Sequence, residues 1–180
     1  MSTCIALIRG INVGLSKRVS MADLRDLIAD LGHADVRTLL NSGNVLFSSK
    51  RSSVSKISSS IEAAITANCG FSASVMVITA QELDCIIEEN PLLRVAKEPA
   101  RHLVAFVAHP RHLEPLRPML KELWKPDALA ITQRAAYLWC ATGLLESKMS
   151  QAFSRKAGST VTTRNWATVL KLQAAAKHET

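Results

Sequence analysis

Aromatic residues are scarce in this chain, at 4% of its 180 positions, and so are glycine, with 7, and proline, with 6. So few glycines and prolines exclude a collagen-like or low-complexity chain. The 48% of hydrophobic positions excludes intrinsic disorder, because that much apolar surface offsets the entropy lost on ordering. No apolar run approaches the roughly 20 residues that a membrane-spanning helix needs, so no membrane association is expected. The first apolar run, residues 4–8, is too short for a signal-peptide core and follows no basic segment, so a cytoplasmic location is expected. The 4 cysteines, at positions 4, 69, 85 and 140, form no CxxC pair and no Cys/His metal spacing, which fits reduced thiols used in packing. Neither a metal nor a cofactor is called for.

Acidic residues are missing from a long stretch of the C-terminal half. Residues 1–100 hold 10 Lys/Arg against 10 Asp/Glu, and residues 101–180 hold 12 against 5, so the whole net charge of +7 lies after position 100. Six cations, Lys148, Arg155, Lys156, Arg164, Lys171 and Lys177, stand in residues 147–177 with no acid among them. A solvated helical face explains such a stretch. An anion site explains it equally well and says more about partners.

Residues 3–9 read as a buried strand feeding a glycine-bounded loop, 10–14. Ser20 suits an N-cap before the apolar stripe Met21, Leu24, Leu27, Ile28 and Leu31, with Gly32 at the stop. Residues 36–40 and 45–47 flank Asn41-Ser42-Gly43-Asn44 as a hairpin. A helix around Ile57, Ile61 and Ile65 ends near Gly70, and residues 73–78 give a further strand. Thr79 with Glu82 makes a capping box for a helix that Asn90-Pro91 ends. Residues 91–100 read as a linker between an N-terminal part, 1–90, and a C-terminal part, 101–180. In the latter the pattern recurs: strand 103–108, helix 112–123 interrupted by Pro115 and Pro118, hairpin 128–132 with 137–140, helix 146–157, extended piece 159–162 and terminal helix 165–177. Two βαββαβ units predict an α+β fold of two ferredoxin-like halves with an extra C-terminal helix.

Three polar blocks suit anion binding better than core packing. In Arg9-Gly10-Ile11-Asn12-Val13-Gly14, with Lys17 and Arg18 close behind, two glycines leave backbone N–H groups open and Arg9 offers a bidentate fork. The glycine spacing matches neither a P-loop nor a dinucleotide fingerprint. Asn41, Ser42 and Asn44 offer two amides and a hydroxyl at a turn. Thr162-Thr163-Arg164-Asn165-Trp166 sits where a helix begins, so that a threonine caps it while Arg164 and free N–H groups face an anion; Lys171 lies two turns on. Ser147-Lys148 adds a hydroxyl and a cation. An ordinary turn or cap accounts for each block taken alone.

Together, and in this order, Arg9 to Gly14, Asn41 to Asn44 with Val45 and Phe47, Ser147-Lys148, and Thr163-Arg164-Asn165-Trp166 with Thr168, Val169 and Lys171 resemble the signature blocks of the bacterial domain of unknown function 1697 family. The resemblance implies a ferredoxin-like α+β protein of this size and implies no particular activity. The family commonly reads Gly and then Lys or Asn where this chain has Leu15-Ser16, and Asn where it has Ala167.

Other candidates carry less. Ser53-Val54-Ser55-Lys56 has the SxxK spacing, but its charged, Ser-rich surroundings offer little to desolvate Lys56. His109 and His112 lack a third ligand, and His33 follows a helix-ending glycine as a surface residue does. Trp124 and Trp139 fit the core, whereas Trp166 lies inside a polar block. The aromatics that stack RNA bases on ferredoxin-like sheets are missing from residues 4–8 and 44–47. The leading expectation is one basic cleft, built from the three blocks, that binds a phosphorylated or otherwise anionic small molecule. An enzyme would need a general base, for which Glu146 is the candidate. The rivals are a nucleic-acid binder working through phosphates on the C-terminal basic face, and a protein-interaction module in which the blocks are only turns and caps.

Overall fold

The computed structural model describes residues 1–13, 17–50 and 53–177. They form eight strands and five α-helices: β1 (Ser2–Arg9), α1 (Met21–Asp30), β2 (Ala34–Leu39), β3 (Asn44–Ser49), α2 (Val54–Cys69), β4 (Ser74–Thr79), α3 (Ala80–Glu88), β5 (His102–Val107), β6 (Ala128–Ile131), β7 (Ala135–Trp139), α4 (Lys148–Ala157), β8 (Val161–Asn165) and α5 (Trp166–Lys177). Two four-stranded antiparallel sheets result, ordered β2-β3-β1-β4 and β6-β7-β5-β8. Each half is thus ferredoxin-like, as the order of elements predicts. No helix among the described residues is long and apolar enough to cross a membrane.

The chain divides into two compact units, Met1–Leu83 with the stretch from Leu172, and Asp84–Lys171. The divisions fall inside α3 and α5, whereas the sequence places its break at the linker 91–100. In the first unit, alternate residues of the central strands, Cys4, Ala6, Ile8, Val45, Phe47, Val75 and Val77, meet Leu24, Leu27 and Ile28 of α1 and Ile57, Ile61 and Ile65 of α2. Period 2 on the strands and period 3.6 on the helices bring those side chains to one layer. The intervening Ile5, Leu7, Leu46 and Ile78 are buried too, so β1 needs an unbroken apolar run rather than an alternating one. The second unit repeats the plan with Ala105, Ala136, Leu138, Met149, Phe153 and Val161.

The caps follow their sequence signals. Ser20 Oγ accepts from Asp23 N at 3.0 Å. Thr79 Oγ1 accepts from Glu82 N at 3.1 Å while Thr79 N donates to Glu82 Oε2 at 2.7 Å, which closes the capping box. Ser53 is the N-cap of α2, its Oγ accepting from Lys56 N at 3.4 Å, so the SxxK spacing serves a helix start.

Several expectations need correction. Residues Pro110–Lys121 are a 3-10 helix rather than an α-helix, because Pro115 and Pro118 inside it have no N–H to donate. The extended piece expected at 159–162 is the full strand β8, so Thr163 and Arg164 lie in a sheet and not at a helix start. The cap of α5 is Asn165, whose Oδ1 accepts from Thr168 N at 2.9 Å, and not a threonine. Helix α4 begins at Lys148 behind the N-cap Ser147, which leaves Glu146 in the preceding loop. His33 is buried, its ring 4.7 Å from that of Phe47. Trp166 is buried and stacks on His102 at 5.1 Å, which explains its place in a polar block. Trp124 and Trp139 are half-buried.

Candidate functional site

The first two polar blocks meet in space. The loop after β1 turns back on itself, with Asn12 N donating to Lys17 O at 3.0 Å. The Asn12 side chain then clamps the backbone at Val19, since Oδ1 accepts from Val19 N at 2.9 Å and Nδ2 donates to Val19 O at 3.0 Å. The same Nδ2 reaches Asn41 O in the β2–β3 turn at 3.3 Å. One amide therefore ties the loop to the hairpin tip and to the segment entering α1. It also supports its own left-handed backbone, at φ 56°, a conformation that asparagine tolerates better than most residues.

Between these segments lies a cavity of about 520 Å³, lined by Asn12, Arg18, Val19, Ser20, Met21 and Asn41. Arg18 is its only charged lining residue among those described. The cavity opens at the N-terminus of α1, where the first-turn N–H groups have no partner within the helix and the helix dipole is positive. The Ser20 cap takes the N–H of Asp23, which leaves those of Met21 and Ala22 as the first-turn donors without a partner inside the helix.

The expected ligands divide accordingly. Arg9 at the end of β1 and Lys17 in the loop are exposed cations, and Asn41 and Ser42 are exposed at the tip. Gly14 lies outside the described residues. Asn44, by contrast, is fully buried and donates to Leu39 O at 3.0 Å and to Ser42 Oγ at 2.9 Å, which makes it a brace for the hairpin and not a ligand group. The Asn12 side chain is likewise engaged with backbone. Arg18, named in the sequence only as a neighbour of the loop, lines the cavity; the signal available was a cation two residues before a helix cap.

The third block belongs to the second unit. Ser147 is buried, its hydroxyl donating to Asp127 Oδ2 at 2.7 Å and accepting from Ser150 N at 2.9 Å, so it is occupied by the scaffold. Asp127 also accepts from Ala141 N at 2.8 Å, closing the loop before α4. Asn165 is occupied as a cap. Lys148, Thr163 and Lys171 are exposed, as is Glu146. Arg164 is half-buried and donates to Thr163 O at 2.8 Å; burial draws its guanidinium down to about 10, which leaves it cationic at neutral pH. Burial also raises the thiol of Cys140, and that of Cys4, so both stay protonated packing groups, as expected of these cysteines. No group of three or more His, Cys, Asp or Glu among the described residues could hold a metal ion.

A pair of ferredoxin-like halves, the first carrying a cation-lined cavity at a helix N-terminus, is the class of protein that fold and site define. The chain belongs to the family described as "Protein of unknown function (DUF1697)", whose model matches residues 1–137. In structure it is similar to a conserved bacterial protein, SP0830 from Streptococcus pneumoniae, with 22% sequence identity, a TM-score of 0.76, and coverage of 97% of this chain and 98% of that one. That likeness speaks for the fold alone. None of the curated proteins matches this chain.

Proposed function

We propose that this protein binds a phosphorylated or otherwise anionic small molecule in the cavity at the N-terminus of α1. The observation that carries the reading is a cavity of about 520 Å³ lined by Arg18, the one charged lining residue among those described, beside a helix N-terminus. Arg18 supplies a planar fork for two oxyanion oxygens, and the first-turn N–H groups supply directed donors in the positive end of the dipole. Lys17 and Arg9, exposed nearby in sequence, raise the local potential that draws an anion in. Among the described residues the lining holds no carboxylate, histidine or cysteine, so the reading is one of binding rather than turnover.

Thermal-shift titration with inorganic phosphate, a nucleoside monophosphate and a sugar phosphate tests it. A ligand at about 100 times its Kd stabilises the folded state by about 2.7 kcal/mol, a rise in Tm of several degrees. Arg18→Ala is expected to abolish the shift while leaving the unliganded Tm nearly unchanged, because the substituted residue is exposed. An unaltered shift in that variant would sink the reading.

A second reading has its own observation. Lys148, Arg155 and Lys156 are exposed on α4, and α4 carries no acid. Spaced seven and eight residues apart from Lys148, the two later cations share its side of the helix, an arrangement that suits the phosphates of a nucleic acid. Binding of RNA or DNA that falls steeply between two salt concentrations, with no shift from small phosphates, would favour it. A response to neither class would leave the interaction module.

A further inference from the structure

We infer that α4 of one copy of this chain docks in the groove between α1 and α2 of a second copy; the residues that carry this contact do not line the anion cavity, so it does not rest on the reading above. Among the described residues, that groove, about 430 Å³ in volume, has a floor of Leu27, Leu31 and Ala64, each buried or half-buried, and a rim of Asp23, Asp26 and Asp30, each exposed. Spaced three and four residues apart, the aspartates share one side of α1. Arg25, the cation of that helix, is engaged with β2, its Nη1 donating to Thr38 Oγ1 at 3.2 Å. On α4 the exposed charges are Lys148, Arg155 and Lys156, with no acid. Ion pairs form elsewhere in the chain, Glu89 with Arg134, Glu98 with Arg101 and Glu114 with Arg117, yet none among the described residues engages these three acids or these three cations. Both faces are therefore unneutralised, opposite in sign and alike in spacing: seven residues, about 10 Å of helix axis, separate Asp23 from Asp30 and Lys148 from Arg155. Laid antiparallel, the helices bring Lys148 to Asp30 and Arg155 to Asp23. Exposed ion pairs alone hold little. The anchor is Leu145, 84% exposed three residues before α4 and tied to its first turns by Gln151 Nε2, which donates to Leu145 O at 2.7 Å. In the antiparallel arrangement Leu145 lies beyond Lys148 and reaches the apolar floor near Leu31. The acid rim repels a polyanion, whereas a second copy supplies the cations and the leucine together.

Sedimentation velocity of the full chain, treated with nuclease and measured over a series of concentrations, tests the inference. Self-association with a Kd on the order of 100 µM is expected in dilute salt, weakened about tenfold or more in about 1 M salt, where the screening length is about 3 Å. Asp30→Lys in the groove and Leu145→Glu before α4 are each expected to stay monomeric while keeping the Tm of the unaltered chain, since both residues are exposed and a cation suits the end of α1. Mixed in equal amounts, the two variants associate again, because the first still offers an intact α4 face and the second an intact groove. A contact within one chain cannot give that complementation, nor can a merely structural role. Asp30→Asn and Leu145→Ser, milder changes at the same sites, weaken association in the same direction. A chain that is monomeric up to about 1 mM, a variant that associates as the unaltered chain does, or a mixture that stays monomeric overturns the inference. So does association that nuclease removes, which would return the α4 cations to nucleic acid. Each of these outcomes leaves the anion reading standing, since that reading depends on Arg18 and is measured separately.

Discussion

Gly43→Ala is expected to lower the stability of the first unit by about 3 kcal/mol, a fall in Tm on the order of 10 °C, and to abolish the proposed anion binding with it. Gly43 sits in the β2–β3 turn at φ 75°, and its carbonyl accepts from Ile8 N at 2.7 Å. A Cβ placed there meets Ile8 O at 2.8 Å and both Ile11 Cδ1 and Ile8 Cβ at 3.1 Å. The left-handed backbone costs a non-glycine residue about 1 to 2 kcal/mol, and overpacking against a strand that cannot swing aside adds about 1 to 3. Relief requires the tip to lift from β1, which displaces Asn41 from the cavity wall. Gly10→Ala is the control: Gly10 has φ 80° but nothing within 4 Å of its built Cβ, so it should lose only the backbone part. Scanning calorimetry of the two variants reads the difference, and equal losses would show that contact with Ile8 is immaterial.

Acidification is expected to destabilise the second unit through His102. Its ring is fully buried, stacked on Trp166, with Nε2 3.2 Å from Asn90 Nδ2. Asn90 Oδ1 is taken by Leu92 N at 3.0 Å, so the Asn90 amide donates to Nε2 and the imidazole proton sits on Nδ1. That Nδ1 has no hydrogen-bond partner among the described residues. Burial alone draws the group down from 6.5 to about 4. The unfolded chain therefore binds more protons than the folded one between those values. Stability is full above pH 6.5 and falls as pH drops toward 4, by roughly 3 kcal/mol in all. Chemical denaturation at a series of pH values should show this slope, and His102→Phe, which keeps a flat ring against Trp166, should flatten it. An identical slope in both proteins would assign the acid sensitivity to carboxylates.

The strands and caps are legible in the sequence because each depends on residues near one another along it. Ser20 before an apolar stripe, and Thr79 with Glu82 three places on, name their own hydrogen bonds. Asparagines are not legible in that way. The amides of Asn12, Asn44 and Asn165 are as able to hold a phosphate as a backbone group, and what decides is which atoms lie within about 3 Å once the chain has folded. The same holds for Ser147, whose partner Asp127 is 20 residues away in sequence. Arg18, noted in the sequence only as a neighbour of the loop, is passed over as a site residue for the opposite reason, since a cation on a loop shows its use only when a hairpin 23 residues on in sequence comes to face it. His33 misleads because a residue after a helix-ending glycine is exposed unless a strand such as β3 brings a ring like Phe47 to cover it. As for the basic stretch, burial separates the half-buried Arg164 from the exposed Lys148 and Lys171, a distinction that charge counting does not make.

The proline-bearing 3-10 helix has a bearing on stoichiometry. It follows β5 as α1 follows β1, and so occupies the equivalent position in the second half. Its first residue, Pro110, has no N–H, and its cap His109 accepts from Arg111 N at 3.3 Å, so the donors that α1 presents are here missing or already used. If the proposed anion site at α1 is right, the second half, among the described residues, offers no counterpart at the equivalent place, and titration is expected to give one bound anion per chain.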